Sequence, residues 1–207
     1  MSDAPHRQTI TRIVITGGPC AGKTTAMSWI KEEFTRKGYA VLFIAETATE
    51  LISSGAAPWT LTSNEAYQNC QMRMQLGKEK IYELAAQSMK QEKVLIVCDR
   101  GALDNKVYMS DEIFERILQS LHTTEEELRN NYDAVFHLVT AAKGAEAFYT
   151  TANNQARIET AEEAAAMDDK FIAAWTGHPH LRIIDNSTDF EDKMRRLIAE
   201  VNASLSS

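Results

Sequence analysis

The sequence predicts an α/β fold, a three-layer sandwich with a mostly parallel five-stranded sheet between helices. Three observations lead there. Short β-branched or wholly apolar runs alternate with longer segments of helical period, the pattern of strand–helix–strand crossovers. The runs AVLFIA and VLIVC are apolar throughout, as strands covered on both faces tend to be. A glycine-rich turn joins the first strand directly to the first helix.

Taken in order, residues 12–16 (RIVIT) form the first strand and end at a glycine pair. A helix runs from Lys23 to about Lys37. Ala26, Ile30 and Phe34 share one face, and Gly38 stands where a helix stop belongs. Residues 40–45 are the second strand. Thr62 or Ser63 caps a long helix reaching about Gln91, with a stripe of Tyr67, Cys70, Met74, Ile81, Leu84 and Ser88 interrupted at Gly77. Residues 94–98 are the third strand, ended by Asp99. Helices follow over 111–121 and 124–130, then a strand over 134–139. A polar, small-residue stretch, 140–157, precedes a helix from about Glu159 to Trp175. Residues 181–185 are the last strand and 190–205 the last helix. Nothing repetitive, low in complexity or rich in proline and glycine divides the chain. One domain over residues 1–207 is therefore expected, with 1–8 and 204–207 as flexible tails.

Composition narrows the function classes. The 207 residues are 44% hydrophobic and 25% charged, which is ordinary globular composition. No apolar run is long enough to cross a bilayer, and the start MSDAPHRQ lacks the apolar core of a signal peptide. Cys20, Cys70 and Cys98 are too scattered for a disulfide framework or a paired-cysteine zinc site, so a cytoplasmic setting is expected. Lys plus Arg number 22 against 29 Asp plus Glu, a formal charge of -7. That balance argues against nucleic acid as a partner, and a phosphate site has to be built locally.

Residues 17–24 (GGPCAGKT) build one. They fit G-x-x-x-x-G-K-[ST] without mismatch, between a strand and an amphipathic helix. In such a P-loop Gly17, Gly18, Pro19, Cys20, Ala21 and Gly22 surround the phosphates at a helix N-terminus, each except Pro19 with a backbone N–H to offer. Lys23 reaches the β- and γ-phosphates, the Thr24 hydroxyl ligates Mg²⁺, and Thr25 touches the α-phosphate. The implied ligands are Mg²⁺ and ATP, with GTP possible. Cys20 reads either as redox-sensitive or as a small packed side chain.

Other candidates lie at strand ends. Asp99, after the third strand, suits the second Mg²⁺-associated position. Its neighbour Arg100 stands where motor ATPases place a water-orienting glutamate. A fixed cation there suits the transferring phosphoryl group or an anionic substrate, or else forms a simple Asp–Arg surface pair. Glu46, after the second strand, reads as a base for an attacking hydroxyl or as a helix-starting acid. Residues 140–163 are a candidate lid, offering Lys143 and Arg157; Arg157 also suits a salt bridge at the next helix start. Asn186 and Ser187 follow the last strand, where they would approach the nucleotide base or make a turn that caps the final helix. His178 and His180 flank Pro179 and read as a rigid loop rather than a metal site. Gln68, Gln71, Arg73 and Gln75 on the long helix read as a solvated face or as the wall of an acceptor site.

GGPCAGKTT, IAETATEL, CDRG and AWTGHPHLRIIDNSTDFEDK together resemble the small AAA-domain P-loop proteins grouped with bacterial ribosylnicotinamide kinase. They are more similar still to the nucleotide-binding domain of the animal TRPL translocation defect protein, over almost the whole chain. A looser similarity to deoxynucleoside kinases implies Glu46 as base and Arg100 as clamp, with Gly101 in place of the usual serine. The resemblance implies a nucleotide-kinase-like fold. The expected function is phosphoryl transfer from a nucleoside triphosphate to an unidentified small nucleoside- or nucleotide-like acceptor. A nucleotide-binding switch acting through a protein partner, and a slow hydrolase, remain as alternatives. No Asn-Lys-x-Asp guanine motif follows the later strands, which argues against a Ras-type GTPase.

Overall fold

Strand-forming runs at five places in the chain pair edge to edge in a computed structural model that describes residues 8–145 and 160–205. β1 (Thr9–Thr16), β2 (Ala40–Ile44), β3 (Lys93–Asp99), β4 (Ala134–Leu138) and β5 (Leu181–Ile184) lie in the order β2-β3-β1-β4-β5. Every neighbouring pair is parallel, so among the described residues the sheet is wholly rather than mostly parallel. Parallel neighbours need crossovers, and helices supply them. These are α1 (Lys23–Arg36), α2 (Thr47–Ser53), α3 (Asn64–Gln87), a 3-10 helix (Ala102–Tyr108), α4 (Asp111–Leu121), α5 (Glu125–Asn130), α6 (Ala161–Trp175) and α7 (Phe190–Leu205).

The period-two alternation of the central strands sorts the core into two layers. Ile13, Ile15, Leu95, Val97, Phe136 and Leu138 face α1 and α7, where Ala26, Ile30, Phe34, Met194, Leu197 and Val201 meet them. Val14, Val94, Ile96, Cys98 and Val135 face the other way, onto Met72, Leu103, Phe114, Ile117, Leu128 and Trp175. Among the described residues no helix is long and apolar enough to cross a membrane.

Most elements lie where the sequence places them, with shifted ends. β1 begins at Thr9, three residues early, because Thr9–Thr11 extend the ladder along Lys93–Leu95 of β3. α6 begins at Ala161 behind a Thr160–Glu163 capping box. α3 ends at Gln87 rather than near Gln91.

The inward face of α3 is the main correction. Of the expected stripe Tyr67 is buried, but Cys70 is exposed and Ile81 and Leu84 are 64% and 55% exposed. Gln68, Gln71, Gln75 and Glu79, three of them from a set that reads as a solvated face, are buried. The helix carries apolar residues on more than one side, and tertiary partners decide between them. α3 packs against α2, β2 and the 3-10 helix, which offer polar partners. Gln71 donates to Asn105, and Gln75 accepts from the Thr47 hydroxyl and donates to Glu79 (2.7 Å). The Tyr132 hydroxyl donates to the same Glu79 oxygen (2.7 Å) and accepts from the Ala102 N–H.

Glu79 is 2% exposed, and burial raises its carboxyl above the ordinary range, only partly offset by Gln75, Tyr132 and Arg12. A carboxyl raised in the folded state makes the fold progressively less stable as pH climbs from the unfolded value through the folded one. Glu79→Gln lacks that penalty. The stability advantage of wild type over Glu79→Gln in urea melts should therefore be largest near about pH 4 and shrink as pH rises from there. A constant or growing advantage would show that Arg12 holds Glu79 ionised.

Candidate functional site

β1 leads into its glycines at the carboxyl edge of the sheet, where the strand order turns and a crevice opens. Gly17 has φ +138°, and a Cβ there would stand 2.1 Å from the Leu138 carbonyl oxygen of β4. Gly22 has φ +94° at the start of α1, where a Cβ would meet the Phe190 ring at 2.7 Å. Both positions demand glycine. Between them Gly18 and Ala21 are buried, and Cys20 takes a left-handed conformation with φ +56°. Pro19 and Cys20 offer their carbonyls to the Thr140 hydroxyl and the Ala141 N–H. After Gly22 the first N–H groups of α1 have no acceptor within the helix, which makes its N-terminus suited to an anion.

Lys23 folds back on this loop and donates to the carbonyls of Gly17 (3.0 Å) and Gly18 (2.9 Å). Burial and the Arg100 charge lower its ammonium to about 8, against the pull of Asp99 and Glu46. Thr24 is exposed and Thr25 half-buried. At the end of β3, Asp99 has Oδ1 buried without a hydrogen-bond partner. Burial raises the Asp99 carboxyl, although Lys23 opposes the shift.

Arg100 has φ +68° and donates its backbone N–H to Ile15 (3.0 Å), which turns its side chain across the site. Its Nε donates to Glu46 Oε1 at 2.5 Å. The pair is thus Arg100–Glu46 rather than the Asp–Arg pair of adjacent residues. The guanidinium lies 4.6 Å from the centroid of the Phe171 ring, and Nη1 is buried without a partner. Glu46 caps the start of α2 and accepts from the Thr49 hydroxyl at 2.6 Å. Burial alone would raise its carboxyl, but Arg100 and Thr49 hold it below the ordinary range. Glu46 thus starts a helix, as one sequence reading has it, and also lines the crevice.

Glu46 and Arg100 form one side of a small cleft completed by Thr47, Gln71, Gln75, Asn105 and Tyr108. Its free volume is about 20 Å³, room for a single water. Asp104, 1% exposed, also lines it and accepts from the Thr16 hydroxyl (2.6 Å), the Trp175 Nε1–H (2.9 Å) and the Gly101 N–H (2.8 Å).

Two buried charges brace the phosphate loop from behind. Asp168 Oδ1 accepts from the Gly18 N–H (3.0 Å) and the Thr140 N–H (3.2 Å) and lies 3.1 Å from His137 Nε2. Lys193, 2% exposed, donates to the carbonyls of Ala21 (3.2 Å) and Val139 (2.7 Å) and to Asn186 Oδ1 (2.7 Å). Burial lowers the Lys193 ammonium to about 8.

Lys23, Glu46, Asp99 and Arg100 thus come together, close enough for their charges to shift one another. Asn186 is engaged inside the protein: its amide donates to the carbonyls of Thr140 (2.8 Å) and Lys143 (2.7 Å). Ser187 donates to Asp185 at 2.6 Å. His178 bonds the Tyr132 carbonyl through Nε2 and the His180 N–H through Nδ1, which fits the rigid loop. Arg157 lies outside the described residues, as does most of the candidate lid. Sequence reasoning missed Asp104, Asp168 and Lys193. For Lys193 the signal was present, since it shares the inward i, i+4, i+8 face of α7 with Leu197 and Val201.

A family model described as AAA domain matches residues 12–193. No match is found among curated proteins.

The lowered Lys23 ammonium has a measurable consequence. A triphosphate favours charged Lys23, so binding near pH 8 should take up about half a proton per site, fading toward zero by about pH 6. Calorimetry of Mg-ATP in buffers of different ionisation enthalpy reads this directly. Uptake that does not vary with pH would place the lysine's titration elsewhere.

Proposed function

The chain belongs to this AAA-domain family of P-loop proteins, and on that premise we propose that it is a kinase. It would transfer the γ-phosphoryl group of ATP or GTP to a hydroxyl of a small, uncharged, nucleoside-like acceptor. The carrying observation is the Glu46–Arg100 pair at the cleft beside the phosphate loop, with Nη1 of Arg100 lacking a partner. An ionised carboxylate and a buried guanidinium donor are what a hydroxyl attacking a phosphoryl group needs: a proton acceptor and a charge stabiliser.

In this reading Lys23 leaves the Gly17 and Gly18 carbonyls for the β- and γ-phosphates. The acceptor oxygen forms the new bond to the γ-phosphorus as the bond to the β-phosphate oxygen breaks. The acceptor's proton goes to Glu46, and the nucleoside diphosphate leaves. Thr24 and Asp99 would hold Mg²⁺, and the orphaned Asp99 Oδ1 fits a hard cation as its missing partner. The metal's chemistry there is neutralisation of phosphate charge.

As it stands the cleft has room for about one water, so an acceptor requires it to open, and its lining favours one acceptor class. Among the described residues Arg100 is the only cation lining it and is already paired with Glu46; Asp104 adds a second carboxylate, and Thr47, Gln71, Gln75, Asn105 and Tyr108 are neutral hydrogen-bonding groups. A phosphorylated acceptor would bring charge that nothing there balances.

A coupled assay of nucleoside diphosphate release, run against nucleosides, nucleoside monophosphates and nicotinamide riboside, tests the proposal. Stimulation by a nucleoside is expected. Stimulation by monophosphates alone would overturn the uncharged acceptor, and tight Mg-ATP binding with no stimulation at all would favour a switch acting through a protein partner.

Single substitutions then assign the roles. Lys23→Ala should abolish Mg-ATP binding in calorimetry with the fold intact. Glu46→Gln should leave Mg-ATP affinity within a few-fold and lower acceptor-dependent turnover by about 10²–10⁴. Arg100→Ala should lower turnover more than affinity, by up to about 10³–10⁵. Normal turnover in Glu46→Gln would remove it as the base.

A further inference from the structure

α6 carries three fully buried polar or aromatic side chains at i, i+3 and i+7, so they share one face. Each touches a different part of the site. Asp168 accepts the Gly18 N–H of the phosphate loop. Phe171 lays its ring against the Arg100 guanidinium and makes an edge contact with Tyr108 at 5.9 Å. Trp175 donates to Asp104 at the base of the 3-10 helix, and its ring fills the space a Cβ on Gly101 would enter, 2.7 Å away.

The phosphate loop follows β1, while Arg100 follows β3 and the cleft wall comes from the 3-10 helix. No helix or strand of those segments spans both the loop and the guanidinium. α6 does, because a helix is stiff over a single turn. A buried carboxylate also fixes its donors more tightly than a neutral acceptor does, since leaving it unpaired is costly. The space is tight as well, because a Cβ on Gly18 would stand 3.0 Å from Asp168 Oδ1.

We propose that Asp168 and Phe171 are positioning residues of the site, one helical turn apart, which set the phosphate loop and the Arg100 guanidinium in register with each other. Asp168 holds the Gly18 peptide so that the loop keeps its shape when Lys23 departs for a triphosphate. Phe171 shields one face of the guanidinium and holds it toward the cleft. Neither residue touches the reacting atoms. The inference rests on the kinase reading for its purpose, but its geometry is testable without an acceptor.

The test uses two conservative variants and two readouts. Asp168→Asn keeps size and an acceptor oxygen but loses the charge. It should weaken Mg-ATP binding about tenfold in calorimetry, the difference between a charge-assisted and a neutral hydrogen bond. Phe171→Leu keeps apolar volume but loses the ring face. It should leave Mg-ATP affinity within about twofold while the Arg100 Nε–H, seen by NMR, exchanges with water about five- to tenfold faster. A third measurement needs no mutant: the Gly18 amide of wild type should exchange at least about a hundredfold more slowly than in an unstructured peptide. A merely structural role would lower melting temperatures and leave these site readouts as they are in wild type. Wild-type Mg-ATP affinity in Asp168→Asn, an unchanged Arg100 Nε–H in Phe171→Leu, or a fast Gly18 amide would each overturn the proposal. Failure of wild type itself to bind Mg-ATP would overturn the nucleotide reading instead, and the Gly18 and Arg100 exchange rates would still decide the register.

Discussion

Every strand of the sheet runs the same way, so five carboxyl ends emerge along one edge. That direction is what brings the phosphate loop after β1, Glu46 after β2, Asp99 and Arg100 around the end of β3, Thr140 after β4 and Asn186 after β5 into one neighbourhood. An antiparallel strand in their midst would send its following loop to the far edge. The register then sets which groups can meet. Pairing Ile15 with Asp99 places the Arg100 N–H on the Ile15 carbonyl, one residue before the loop's approach begins.

Around this edge the protein buries charge rather than only apolar surface. Glu79, Asp104, Asp168 and Lys193 are each at most 2% exposed. An ion removed from water is tolerated only where it is paired or well hydrogen-bonded, and stranding one by deleting its partner typically costs about 3–5 kcal/mol. Three of the four are tied directly to backbone that shapes the site: Asp104 to Gly101, Asp168 to Gly18 and Lys193 to Ala21. The fourth, Glu79, acts through Gln75, which donates in turn to the Arg100 carbonyl at 3.3 Å. The site's conformation is thus carried by polar contacts whose loss is expensive, while the apolar layers on either side hold the sheet.

Several buried polar atoms lack a hydrogen-bond partner among the described residues, and two of them lie at the site. Asp99 Oδ1 lacks a donor and Arg100 Nη1 lacks an acceptor, and their charges act on a lysine whose described hydrogen bonds go to its own loop's carbonyls. In the proposed function a cation, an anion and a phosphate chain would answer those three needs together. The pockets elsewhere, such as the groove between α1 and α7 lined by Trp29, Glu33, Arg36 and Arg195, carry ion pairs already closed on themselves.

The sequence by itself determined the alternation of strands and helices, the phosphate loop and the strand-end positions of Glu46, Asp99 and Arg100. Those signals are local: a turn that only glycine can make, a β-branched run, a charged residue directly after an apolar one. It also determined membership in the family, because the matching motifs run over most of the chain. The tertiary structure alone decided which face of α3 turns inward, since its apolar residues lie on several sides and amides at 68, 71 and 75 gain partners from α2, the 3-10 helix, the Arg100 carbonyl and their own helix neighbours. It decided that Arg100 meets Glu46 and not Asp99, a choice made by a left-handed backbone at Arg100. It decided, too, that Asp168 and Lys193 serve the loop from distances of 150 and 172 residues along the chain. The period of α7 marks Lys193 as inward-facing, but no period or motif encodes which distant donors and acceptors folding brings to a buried charge.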